Sequence, residues 1–222
     1  MKPLKLLEYI HTLEDHRFDL VYPPEIRAVS RVHWTPVLVA RCAARFLVRE
    51  PGTRVLDIGC GPGKFCIVGA LNTKGRFTGV EQRQSLCDVA RSVIGQAKIL
   101  TAEIIHGNAT DIDFSNFDAF YLFNPFEENL ETTLKIDASV QLTDALYEKY
   151  TTHVARQLAL APPGTRVVTY CGVCQEVPVE YECLDSSAEY GLKFWEKMIC
   201  LPVATETGEA PGTPQPMAAR VR

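Results

Sequence analysis

The run Val55-Leu56-Asp57-Ile58-Gly59-Cys60-Gly61-Pro62-Gly63 constrains this chain more than any other segment. An apolar, partly β-branched stretch meets three closely spaced glycines, and Lys64-Phe65-Cys66-Ile67-Val68 follows. That pattern predicts a strand, a tight turn and a helix. Glycine adopts positive φ without penalty and lets backbone approach a ligand closely. Asp57 places a carboxylate near the strand end. In open α/β sheets, ligands bind outside the carboxyl ends of the strands. The loop therefore predicts an α/β fold with its site at that edge.

The rest of the chain supports a doubly wound, mostly parallel seven-stranded sheet with helices on both faces. Strands are predicted at Arg54 to Ile58, Arg76 to Glu81, Ile104 to His106, Phe117 to Phe123 and Arg166 to Cys171. Helices are predicted at Lys64 to Leu71 and Ser85 to Gln96. A longer helix carries Val140, Tyr147, Tyr150, Val154 and Leu158 on one stripe and ends at Pro162-Pro163-Gly164. The fourth strand is apolar at nearly every position, as a strand covered on both faces requires. Val179 to Leu184 and Leu192 to Cys200 have no helix between them and should form an antiparallel C-terminal edge hairpin.

Three regions follow: a helical N-terminal extension over residues 1–52, an α/β domain over 53–203, and a tail over 204–222. In the extension, Thr35 can cap a helix with Pro36 at its first position. Leu38, Cys42 and Phe46 form one apolar row on it, and Val39, Ala43 and Leu47 another. The tail is rich in Pro, Gly and Thr and is expected to be disordered. The net charge of −4 argues against a broad basic face for nucleic acid. No window approaches the ~20 apolar residues of a membrane span. The N-terminus lacks the features of a signal peptide, so the expected location is cytoplasmic. The eight cysteines are scattered through apolar segments and read as small core residues. Cys171 and Cys174 have CxxC spacing but no second pair or histidines at ligand spacing, so no metal site is expected.

Leu56-Asp57-Ile58-Gly59-Cys60-Gly61-Pro62-Gly63 resembles motif I of the class I, Rossmann-like S-adenosylmethionine-dependent methyltransferases. Further segments fall in that family's order over roughly residues 53 to 200. The resemblance implies that Asp57, Gly59, Cys60, Gly61 and Gly63 wrap the methionine part of S-adenosylmethionine. It implies that Glu81, ending the second strand, accepts from the ribose hydroxyls, a task suited to an acceptor-only carboxylate. Asn108 and Ala109 match the segment that reads adenine, with Asn108 standing where Asp is common. Asn124, Pro125 and Phe126 match the residues that face the reacting methyl, although one proline of the usual pair is absent. The segment before the first strand often covers the site in this family, which makes Tyr22 and Trp34 candidates for the acceptor pocket. The helix start at Thr35 is a candidate contact for the cofactor carboxylate.

A dinucleotide-binding domain is the rival, but its GxGxxG pattern needs a third glycine that is missing here, where Gly63 is followed by Lys64-Phe65-Cys66. The reaction expected is in-line methyl transfer to a nitrogen acceptor in a protein, a nucleic-acid base or a small amine. An O-methyltransferase of small molecules would favour a general base near the fourth or fifth strand, and the sequence shows none there. A cofactor-binding protein without catalysis would share the same loop. The acceptor itself is not legible. Because the tail's composition gives it little to bury, a chain ending at Val203 should melt within about 2 °C of the full chain in calorimetry. A larger loss would show that the tail docks.

Overall fold

The computed structural model describes residues 12–131, 133–187 and 191–199. Its strands are β1 (Arg54–Ile58), β2 (Arg76–Glu81), β3 (Ala102–His106), β4 (Ala119–Phe123), β5 (Arg166–Tyr170), β6 (Tyr181–Ser187) and β7 (Leu192–Lys197). They form one sheet in the order β3-β2-β1-β4-β5-β7-β6. β1 to β5 run parallel, and β7 runs antiparallel to both β5 and β6. The expected hairpin is present, with β7 inserted beside β5 and β6 left at the edge. The expected tail and Cys200 lie outside the described residues.

β1 and β2 have the expected bounds. β3 starts earlier, at Ala102, because pairing of Ala102 with Phe77 of β2 extends a ladder that local propensity does not announce. β4 starts later, at Ala119. Phe117 closes the 3-10 turn Phe114–Asn116, and the Asp118 carboxylate pairs with Arg54. Val140 lies outside the long helix, which starts after Thr143, whose hydroxyl accepts from Leu146 N.

Side chains alternate across a strand, and the sheet thereby divides the core into two. Val55, Phe77, Tyr121 and Val168 face one side, packed against helices α4 (Val37–Leu47), α5 (Lys64–Asn72) and α6 (Gln84–Ala97). Leu56, Val80, Phe120 and Val167 face the other, packed against α7 (Asp144–Leu160) through Tyr150, Val154 and Leu158. Leu13, Phe18 and Tyr22 join the first cluster, so the N-terminal segment shares the core of the sheet. The strand order reverses between β1 and β4, and the carboxyl ends of β1, β2 and β4 meet there.

The start of α4 differs from the sequence reading. Pro36, not Thr35, occupies the cap position and has no side-chain acceptor. The N–H of Val37 donates instead to Asp15 Oδ1, at 2.9 Å. Asp15 opens α1 (Asp15–Phe18), so an orphan helix donor is met from a distant segment. Thr35 Oγ1 bonds the Tyr121 hydroxyl at 2.9 Å, beneath the sheet. On α4 the row of Val39, Ala43 and Leu47 is buried, while Leu38 is 51% exposed and Cys42 faces solvent. One apolar row is enough because α4 meets only one surface. Of the seven cysteines described, only Cys60, Cys66 and Cys87 are buried.

Lys64, at the first turn of α5, is 2% exposed. Its ammonium donates to Asp15 Oδ1 at 2.7 Å and to Asp19 Oδ1 at 2.8 Å, and it lies 5.3 Å from the Phe18 ring centroid. Breaking a buried pair leaves an uncompensated charge. Lys64→Met should therefore lower stability by about 3 kcal/mol, the low end of that effect because Asp15 can rehydrate. Adding Asp15→Asn and Asp19→Asn should recover part of the loss in urea unfolding. An unchanged Lys64→Met would show that the triad contributes no stability.

Candidate active site

The glycine loop leaves β1 and crosses the top of the sheet. Gly59 and Gly61 line a cavity of about 420 Å³ together with Trp34, Glu81, Asn108, Ala109, Asn124, Pro125 and Phe126. The residues singled out at the ends of four strands thus converge on one cavity. Gly61 is required twice over. Its φ is +54°, and a Cβ there would lie 2.7 Å from the Trp34 ring. Trp34 is buried, with its indole N–H donating to Ile26 O at 2.8 Å, so the ring is fixed against the loop.

Glu81 is the electrostatic centre of the site. It is 5% exposed. Its Oε2 accepts from Gly61 N at 3.0 Å, and its Oε1 accepts from Arg83 N at 2.8 Å. Burial pushes its pKa up, opposed by the Arg83 N–H bond and the Arg83 charge. Each carboxylate oxygen keeps a second lone pair for a hydroxyl donor.

Asp57, Cys60, Gly63, Tyr22 and Thr35 stand outside the cavity wall. Asp57 alternates onto the α5 side of the sheet, where Cys66 Sγ donates to it at 3.5 Å. Burial raises its pKa to about 8, against the Cys66 hydrogen bond. Cys60 packs against Gly79 under the loop, and Gly63 caps α5 against Ala90 and Ile104. The Tyr22 hydroxyl donates to Pro62 O at 3.1 Å, which braces the loop from behind. Thr35 is bonded to Tyr121, and the α4 start already holds Asp15. None of these five residues lines the cavity; they brace or flank the loop. Asn108 Oδ1 accepts from Thr110 N and Thr110 Oγ1, both at 3.0 Å. Its oxygen therefore shapes the 3-10 turn Ala109–Asp111, and the expected use of that oxygen on adenine competes with the turn.

Several wall residues were not singled out from the sequence. Arg83 is 3% exposed and pairs with both Glu128 oxygens, at 2.9 and 3.1 Å, and with Asp137 at 3.0 Å. It pins the stretch after β4, whose Leu134 and Ile136 close over the cavity. Arg31, His33, Glu127, Tyr170 and Cys171 also line the wall. Burial lowers the His33 pKa, with Glu128 opposing and Arg83 reinforcing the shift. The only local signal for Arg83 was its place two residues after Glu81. Its partners are 45 and 54 residues away in sequence.

This donor and acceptor set fits S-adenosylmethionine. A buried carboxylate ends β2, glycine backbone lines β1's loop, and aromatic walls flank both. Glu81→Gln places an amide N–H₂ against the N–H of Gly61 or Arg83. It should weaken S-adenosylhomocysteine binding by about 1–3 kcal/mol in calorimetry. Binding of NAD with no binding of S-adenosylhomocysteine would overturn the assignment.

The family model described as a methyltransferase domain matches residues 49–212. Curated relatives include demethylmenaquinone methyltransferase of Listeria welshimeri, 33% identical over 73 residues, and that of Bacillus cereus (strain B4264), 26% identical over 74. The Listeria match covers 31% of this chain and 31% of the relative, so the chain spans about a third of the length of such relatives. Among solved structures, TrmN from Thermus thermophilus has a TM-score of 0.56 at 16% identity, over 79% of this chain and 52% of that one. An RNA methyltransferase from Salinibacter ruber, in complex with S-adenosyl-L-homocysteine, has a TM-score of 0.53 at 19% identity, over 79% of this chain and 99% of that one. At those identities the structures speak for the fold alone. No helix among the described residues is long and apolar enough to cross a membrane. With its loop, its Glu81 and its sheet order in agreement with the match, this chain belongs to the methyltransferase domain family and has the Rossmann-like fold of the S-adenosylmethionine-dependent enzymes.

Proposed function

We propose that this chain transfers the methyl group of S-adenosylmethionine to a nitrogen atom. The observation that carries the reading is Asn124, held at φ +40° where β4 ends on the cavity. A non-glycine residue at positive φ is uncommon, though Asn tolerates it better than most. Such strain persists where the surroundings over-determine it, and it clusters at functional sites. Here the surroundings are explicit. Asn124 Nδ2 donates to Glu127 Oε2 at 3.0 Å, which turns Oδ1 toward Gly172. Pro125 packs on Gly59, its Cβ 3.0 Å from where a Cβ on that glycine would stand.

The wall at this point presents acceptors. The sequence suggested Asn124 and the Pro125 carbonyl as the pair; the Glu127 carboxylate, bonded to Asn124 on the same wall, adds a further acceptor. An amine brings N–H donors, and acceptors on the wall would hold them and aim its lone pair. Phe126 and the Phe123–Tyr170 ring pair, 4.5 Å between centroids, give π faces for the positive charge that grows on nitrogen. S-adenosylmethionine supplies a methyl activated on a sulfonium, open to displacement by an in-line nucleophile. The residues contribute positioning, which is worth up to ~7–11 kcal/mol.

His33 favours a second reading. It is half-buried on the wall, and burial favours its neutral, basic form. With relatives named demethylmenaquinone methyltransferase, it supports a small-molecule acceptor activated by a base. Transfer from methyl-labelled cofactor into protein, RNA and metabolite pools separates the two by the atom that carries the label.

Asn124→Ala should lower turnover about 100-fold while S-adenosylhomocysteine affinity stays near that of the wild type. Gly172→Ala should act in the same direction, because its new methyl would run into Asn124 Oδ1. Full turnover in both variants, or label in an ether, ester or thioether, would overturn the nitrogen reading.

A further inference from the structure

We propose that Glu127 takes the proton from the incoming acceptor and makes the site selective for a cationic alkylamine. This inference rests on the nitrogen reading above. Glu127 opens the 3-10 turn Glu127–Asn129 directly behind the strained end of β4. Its backbone N–H donates to Asn124 O at 3.2 Å, and its Oε2 accepts from Asn124 Nδ2. Two bonds to one residue fix the carboxylate at the cavity wall. Its Oε1 points toward Gly172, 3.3 Å from where a Cβ there would stand.

The neighbouring glutamates have opposite fates. Both oxygens of Glu128 are engaged by Arg83. Among the described residues, no lysine, arginine or histidine nitrogen lies within 4.0 Å of Glu127. Burial alone pushes its pKa up from the usual carboxylate range. The titratable groups that face it are acids as well. They are Tyr147 from α7, and Cys171 and Glu176 from the loop after β5. A half-buried carboxylate without a cation is costly, and a cationic ligand offsets that cost. The fold thus keeps a charge that its own residues leave uncompensated.

Placement gives the charge a use. Asn124 and Glu127 line the main cavity and also a narrow cleft of about 10 Å³, room for no more than a water, bounded by Tyr147, Thr151, Val173 and Glu176. An amine in the main cavity meets Glu127 on the wall, with Phe126 and Tyr170 beside it. An alkylammonium suits that wall: a carboxylate for its charge and aromatic rings for its stem.

The proton balance is simple. An alkylammonium, with an ordinary pKa of about 10.4, has no free lone pair near neutral pH. It passes one proton to the Glu127 carboxylate, which becomes the acid. The freed lone pair forms the C–N bond as the methyl–sulfur bond breaks, and sulfur keeps that electron pair. The product leaves as a methylated ammonium, and Glu127 returns its proton to water at the cleft.

The test uses the full chain saturated with S-adenosylhomocysteine and two probes, n-butylammonium and n-butanol, in calorimetry. The wild type should bind n-butylammonium, and n-butanol at least about tenfold more weakly. Glu127→Gln should lose about tenfold in n-butylammonium affinity, with cofactor-product affinity and melting temperature preserved. Glu131→Gln, which removes a charge at an exposed position, should leave the affinity unchanged. With n-butylamine as acceptor and labelled cofactor, Glu127→Gln should shift the rising limb of the rate–pH profile toward the pKa of the free amine. No binding of n-butylammonium to the wild type would overturn the proposal. So would a Glu127→Gln variant with wild-type affinity and an unshifted profile, and that result leaves the nitrogen reading standing. Failure of the nitrogen reading shows differently, as label on oxygen or carbon whatever stands at 127.

Discussion

The buried ammonium of Lys64 holds the cavity's N-terminal wall in place. A lysine with 2% exposure is tolerated only because two carboxylates meet it. Those carboxylates belong to residues 45 and 49 positions earlier, so one charge ties the N-terminal segment to the start of α5. Asp15 then serves twice, since the same oxygen caps α4 through Val37 N. With both ends fixed, Tyr22 reaches Pro62 and Trp34 lies over Gly61. The triad acts together with the burial of Leu13, Phe18 and Tyr22 in the core, since the short helices of this segment would be marginal alone.

A second set of charges builds the opposite wall. Glu81 bonds the loop at Gly61 and the chain at Arg83. Arg83 carries the connection on to Glu128 and Asp137 in the stretch that closes over the cavity. The bidentate geometry suits a guanidinium and would be lost with lysine. Glu81 and the cover are therefore mechanically joined. A molecule that engages Glu81 acts on a residue whose other contacts shape the roof.

Between these walls lies the end of β4. Its strain at Asn124, the clearance at Gly172 and the unpaired carboxylate of Glu127 form one local unit. The Glu81 side is satisfied internally, whereas the Glu127 side is not. The two sides of the cavity thus differ in how their carboxylates are compensated.

Much of this was legible in the sequence, for reasons that are local. Strands β1 and β2 are short segments bounded by turn residues, and the loop between β1 and α5 carries its glycines in a short window. Gly59, Gly61, Glu81, Asn124 and Trp34 were identified and do meet at one cavity. Strand-end position alone puts the first four there. Tyr22 and Thr35 were given to the pocket but brace it from outside, because which face a side chain takes depends on partners that sequence spacing does not encode. Asp57 illustrates the same point: alternation along β1 turns it toward Cys66, and only the packing of α5 says which face is the covered one. Arg83 and Glu127 escaped notice because their meaning comes from residues brought near by the fold: Arg83 from Glu128 and Asp137, Glu127 from Gly172 and from the lack of any cation among the described residues. The sequence by itself determined the strand–loop–helix frame and the carboxylate at the end of β2, since these follow from backbone sterics and short-range periodicity. The tertiary structure alone decided which side chains face the cavity and which charge is left unpaired, since burial and electrostatic compensation are sums over long-range contacts.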